Sequence, residues 1–120
     1  MFEYWIDTDT EKLPSVLLIE DRLFRLDDEA NKLGVRVFAN GSPLAISGDI
    51  EGWIIKGDGT SMVVEGDSDG NQAWVILPEE AYDTLGKFSV FIKLLSGDDV
   101  ITLGGFETAI YPAQTDMIIN

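Results

Sequence analysis

Neither cysteine nor histidine occurs anywhere in the 120 residues. The first absence excludes disulfides, thiolate metal sites and thiol nucleophiles together. The second removes the commonest general base, proton shuttle and transition-metal ligand. Bases are also scarce: eight Lys and Arg stand against 22 Asp and Glu, a formal net charge of -14. A surface that acidic is repelled by phosphate backbones and anionic lipid, so neither nucleic-acid binding nor membrane insertion is expected. Long apolar runs are missing too. The longest, such as Val16–Ile19, fall far short of a membrane span, and Met1 to Asp7 has neither the basic nor the apolar region of a signal peptide.

What is present fits one folded domain. Hydrophobic residues make up 45% and charged residues 25%, enough for a core of this size to form without staples. The chain divides near Gly34. Residues 1–32 hold apolar clusters at Phe2–Ile6, Val16–Ile19 and Leu23–Leu26, broken by acidic stretches, and read as an N-terminal arm or peripheral strands. Residues 33–120 are more regular. Short runs rich in β-branched and aromatic residues occur at Val35–Ala39, Ile50–Lys56, Met62–Glu65, Ala73–Leu77, Phe88–Leu95, Val100–Leu103 and Phe106–Tyr111. Gly, Asp, Ser and Asn separate them, with Asn40-Gly41 and Asp58-Gly59 offering the positive φ that tight hairpins need. Pro78 to Leu85 has helical spacing between a Pro start and Gly86. The expected fold is all-β: a two-sheet, immunoglobulin-like β-sandwich of about seven short strands with one short helical turn.

Alternation assigns faces within the strands. Phe88, Val90, Ile92 and Leu94 share one side, with Ser89, Phe91 and Lys93 on the other. Ala73, Val75 and Leu77 oppose Gln72, Trp74 and Ile76, which leaves Trp74 and Ile76 either under the arm or on a partner surface.

Little of this can carry catalysis. Without histidine, nucleophilic chemistry would need a Ser–Lys pair, and the five lysines (Lys12, Lys32, Lys56, Lys87 and Lys93) read as surface or strand-edge charges. Glu79 and Glu80 face different ways on a helical turn and make a poor acid/base pair. Asp67-Ser-Asp-Gly-Asn71 resembles a calcium loop only superficially, because the glycine comes fourth and the twelfth residue is Pro78. No glycine-rich phosphate cradle precedes a helix. The expectation is a non-enzyme with no cofactor and no metal. The aromatics of the arm and one outward tryptophan are the candidate interface anchors: Phe2, Tyr4, Trp5, Phe24 and Trp74.

An ordered series of short motifs supplies a resemblance over Leu33 to Asn120. It runs through Leu33-Gly-Val-Arg-Val-Phe-Ala-Asn-Gly41, Ser47-Gly48 and Ile54-Ile-Lys-Gly-Asp-Gly-Thr60. It continues through Gly70-Asn71, Leu77-Pro78, Ala81-Tyr82 and Gly86, and ends at Ile110-Tyr111 and Thr115-Asp-Met-Ile118. This series resembles small bacteriophage structural proteins, and the layout is similar to the N-terminal sandwich module of phage baseplate upper proteins. Baseplate upper proteins carry a further fibre-like or receptor-binding part after the sandwich, so the resemblance supports a virion structural protein better than it supports a baseplate protein.

The resemblance implies a virion component (baseplate, tail, capsid decoration or head fibre) that assembles with other virion proteins and forms homo-oligomers. The arm would then dock on a neighbouring subunit or another virion protein. The alternative is a sandwich that binds a host receptor or surface glycan, in which exposed aromatics such as Trp53 or Trp74 line a shallow platform. A coplanar exposed aromatic pair would favour that alternative.

Overall fold

A computed structural model describes residues 3–11, 15–18, 23–24 and 31–111, with the side chains of 15–18, 23–24 and 111 left aside. The strands are β1 (Glu3–Asp9), β2 (Ser15–Leu18), β3 (Leu23–Phe24), β4 (Lys32–Ala39), β5 (Ser42–Pro43), β6 (Asp49–Ile55), β7 (Ser61–Asp69), β8 (Gln72–Ile76), β9 (Gly86–Ser96) and β10 (Asp99–Tyr111). A 3₁₀ turn, Glu79–Tyr82, lies between β8 and β9 and begins after Pro78, as the sequence suggests. Pairing follows the order β1-β4-β8-β7-β6-β9-β10-β2, with β5 added to β4 and β3 to β10. Two sheets result, and the ends of this path, β1 and β2, touch, so the sandwich is nearly closed into a barrel.

The strand β7 joins the two sheets. Its first half pairs with β6, from Ser61 to Glu65, and its second half pairs with β8, from Gly66 to Asp69. Gly66 sits at the crossing point. A Cβ there would collide with the Trp74 carbonyl oxygen and lie 2.7 Å from the Ile50 side chain, so the chain can change sheets only where no side chain is present. The first sheet thus holds β1, β4, β5, β8 and the end of β7. The second holds the start of β7 with β6, β9, β10, β2 and β3.

The core is what the alternation predicts. Leu33, Val35 and Val37 of β4, Ala73 and Val75 of β8 with Leu77 just beyond it, and Phe88, Val90 and Ile92 of β9 are all buried, and Ile50 and Ile54 of β6 join them. Tyr82 and Ala81 from the 3₁₀ turn close one end of the core, where Tyr82 stacks on Phe88 at 6.4 Å between ring centroids. The tight hairpin also matches: Asn40 and Gly41 both have positive φ, at 47° and 82°.

Two features differ from the sequence expectation. The runs Val100–Leu103 and Phe106–Tyr111 are one strand, β10, because Gly104-Gly105 passes through the ladder; an irregularity between Thr102 and Gly104 absorbs the change of register. Gly66 to Asp69, read as part of a loop, is strand. It pairs through its backbone with β8 while its side chains stay largely exposed.

Of the two readings of residues 1–32, β1 takes that of a peripheral strand: it pairs in parallel with β4 of its own chain from Glu3↔Lys32 to Asp9↔Phe38. Tyr4 and Ile6 face inward against the core and Thr8 is buried. Asp9 then accepts hydrogen bonds from the backbone N–H groups of Asn40 and Gly41, at 3.2 and 3.1 Å, which ties β1 to the hairpin turn.

Candidate interaction surface

Two outward faces carry the exposed aromatics. On the first sheet, alternation turns Glu3, Trp5 and Asp7 of β1 outward beside Lys32, Gly34 and Arg36 of β4, and Trp74 of β8 follows Gly34 across the sheet. Trp5 lies across Gly34, where even a Cβ would collide with its ring, and reaches Trp74 at 6.4 Å between centroids, tilted by 59°. The Lys32 ammonium stands 4.5 Å from the Trp74 centroid and 5.5 Å from that of Trp5, and the Arg36 guanidinium 5.3 Å from Trp5. These bases are in turn paired: Arg36 with Asp7 at 2.9 Å and Lys32 with Glu3 at 3.8 Å. The Trp5 indole N–H donates to Glu3 at 3.1 Å. Rings, cations and carboxylates on this face satisfy one another within the chain.

Among the candidate anchors, then, Tyr4 packs inward, while Trp5 and Trp74 sit together half-buried under cations. Phe2 lies outside the described residues, as does the side chain of Phe24, whose backbone pairs with Tyr111.

The outer face of the second sheet is different. Here β6 presents Asp49, Glu51, Trp53 and Ile55, flanked by Val63 and Glu65 of β7 on one side and by Phe91, Lys93 and Leu95 of β9 on the other. Val63, Trp53 and Phe91 form one row across three strands. Trp53 is 38% exposed, Ile55 46% and Val63 56%; Val100 of β10, on the same face beyond Leu95, is 50% exposed. Trp53, Ile55, Val63 and Phe91 line an open depression with Lys93 at its side. The Lys93 ammonium stands 4.8 Å from the Trp53 centroid and 5.7 Å from that of Phe91, and it donates a short hydrogen bond to the Thr102 hydroxyl. The Trp53 indole N–H donates to Glu51 at 3.1 Å. Glu51 and Glu65 are direct cross-strand partners on this face, a like-charge pair that costs the free sheet stability.

Sequence reasoning placed Phe91 outward and named Trp53 only for the glycan alternative; it did not single out Ile55 or Val63. The run Ile50–Lys56 is apolar on both sides, so its alternation could not say which side was the core. The stacked aromatic pair, Tyr82–Phe88, is internal, and the tryptophan pair on the first sheet is tilted.

The remaining polar groups serve turns. The Lys56 ammonium donates to Asp83 at 2.7 Å and to the Glu80 carbonyl at 3.0 Å, fastening the end of β6 to the 3₁₀ turn. That hydrogen bond, with a second from the Thr84 hydroxyl, holds the Asp83 carboxyl below its ordinary 3.8. Asp58 is lowered likewise by the Thr60 hydroxyl and backbone N–H. Asp67 and Asp69 lie in β7, and among the described residues no three acidic side chains gather as a metal-binding group. Nor is any helix among them long and apolar enough to cross a membrane.

No protein-family model matches the sequence, and no curated protein does. Among solved structures the chain is similar to the N-terminal domain of phage TP901-1 ORF48, with a TM-score of 0.55 at 14% identity. The match covers 92% of this chain and 98% of that one. Identity that low speaks for the fold alone. Over nearly its whole length, this chain shares its fold with the N-terminal domain of a phage protein.

Proposed function

We propose that the chain is a structural module of a bacteriophage particle that works by docking on other virion proteins and performs no chemistry of its own. One observation carries this reading: the end-to-end fold likeness to the N-terminal domain of phage TP901-1 ORF48, reached independently of the motif series over Leu33 to Asn120. The surface chemistry agrees with it. The exposed tryptophan face on the second sheet is the kind of surface that dominates binding energy between proteins. The net charge of -14 disfavours a nucleic-acid partner.

The glycan reading is weaker, because the Trp53 indole N–H already donates to Glu51 and the stacked aromatic pair lies inside the core. Purified particles from the phage or prophage that encodes the chain test the proposal. The chain should co-purify with them at fixed stoichiometry through a density gradient, detected by mass spectrometry and immunogold labelling. Its absence from washed particles would overturn the proposal.

A further inference from the structure

The outer face of the second sheet has two properties that the rest of the described surface does not combine. Trp53, Ile55, Val63 and Val100 all leave the sheet on this side, each at least 38% exposed. Along one border runs a strip of acids, where Asp49, Glu51 and Glu65 line a hollow beside Gly66. Glu51 and Glu65 oppose each other directly across the β6–β7 ladder, although like charges placed there weaken the sheet. Lys93 is the cross-strand partner of Glu51 on the β9 side, but its ammonium is turned onto the Trp53 and Phe91 rings and bonded to Thr102. On the first sheet, by contrast, each outward base is matched to an acid within the chain.

We infer that this face docks a different virion protein through an apolar contact centred on Trp53, bordered by lysine or arginine side chains of that partner that pair with Glu51 and Glu65. The inference rests on the phage-structural reading above and names the surface and the partner's chemistry. Charge complementarity selects the occupant. Two copies of this chain would bring the same acidic border and -14 of net charge each to the contact, which opposes self-docking. A basic-rimmed apolar surface would instead bury Trp53 and remove the repulsion between Glu51 and Glu65.

The test uses the full chain inside assembled particles. Val63 is replaced by the photo-crosslinker p-benzoylphenylalanine, with Ile76, 44% exposed on the first sheet, replaced the same way as the control position. Crosslinking from position 63 to a different virion protein, and little from 76, is the expected result. Glu65→Lys should cut the crosslinked fraction at least about tenfold. It should leave the thermal midpoint of the purified chain unchanged or raised, since the substitution places a base opposite Glu51. Glu65→Gln should give the same signs with a smaller loss.

Several outcomes overturn the inference. They are crosslinks only to a second copy, no protein crosslink from 63 in particles that contain the chain, and a crosslinked fraction indifferent to Glu65→Lys. Absence of the chain from the particles sinks the phage-structural reading itself, and so is told apart from failure of the surface alone.

Discussion

Tyr82→Phe removes one oxygen atom from the interior and nothing else. The ring keeps its stack on Phe88, so the change isolates the hydroxyl. That oxygen accepts two hydrogen bonds from Asn31, one from the backbone N–H at 3.2 Å and one from Nδ2 at 2.7 Å. Asn31 is 1% exposed and Tyr82 0%, so water has no ready access to replace the acceptor. The Asn31 carbonyl in turn accepts from the Leu77 N–H at 2.9 Å, so a single residue ahead of β4 is bonded both to the residue after β8 and to the 3₁₀ turn. Leaving a buried donor unsatisfied costs about 1–3 kcal/mol. Two donors share this acceptor and can relax together, so the expected loss is about 2–4 kcal/mol. For a domain of this size that lowers Tm by roughly 8–16 °C, with the urea m-value unchanged. Asn31→Ala removes the Nδ2 donor and keeps the backbone N–H, and the double variant should cost clearly less than the two single losses added. A Tyr82→Phe protein within about 0.5 kcal/mol of the parent would refute the reasoning, because surface-like substitutions fall in that range.

Most of the sandwich was legible because its strands alternate and its Asn40-Gly41 turn has the required chemistry. Phe88, Val90 and Ile92 are buried as their spacing demands, and Ser89 and Lys93 point the other way. Elements that depend on backbone pairing were not legible. Gly66 to Asp69 is polar like a loop, yet becomes strand because β8 supplies its hydrogen bonds. Gly104-Gly105 resembles a turn, yet β9 and β10 continue through it.

The seating of β1 left a signal that alternation within one strand cannot reveal. At a constant offset of 29 residues, Glu3 meets Lys32, Trp5 meets Gly34 and Asp7 meets Arg36, two acid–base rows with a large ring opposite a glycine between them. The same pairing explains why Trp5 and Trp74 are less available than composition suggested. The exposed face around Trp53 was hidden for the opposite reason, since both sides of β6 are apolar and only the tertiary fold decides which is buried.

Two further perturbations separate the roles of the ends of the sandwich. Asp83 titrates below its ordinary 3.8 because Lys56 and Thr84 donate to it. Its contribution is therefore present above that pH and lost as the pH falls through the lowered folded value. Asp83→Asn should accordingly lower the thermal midpoint at pH 5–7, and the gap from the parent should narrow as the pH falls below the ordinary 3.8; a gap that stays undiminished through that fall would refute the linkage. Deleting residues 1–10 removes β1, and here the structure reverses the outcome expected of a free arm. Tyr4 and Ile6 are half-buried against the core, which at half of the 1.5–3 kcal/mol for full burial amounts to about 1.5–3 kcal/mol together. The deletion would also leave the β4 edge unpaired and uncover Trp74. Chemical denaturation of the truncated protein should show that loss, and light scattering should show self-association through the new edge. If the midpoint were unchanged and the protein stayed monomeric, β1 would contribute nothing to its own domain, and its apolar side chains would have to be explained by a partner.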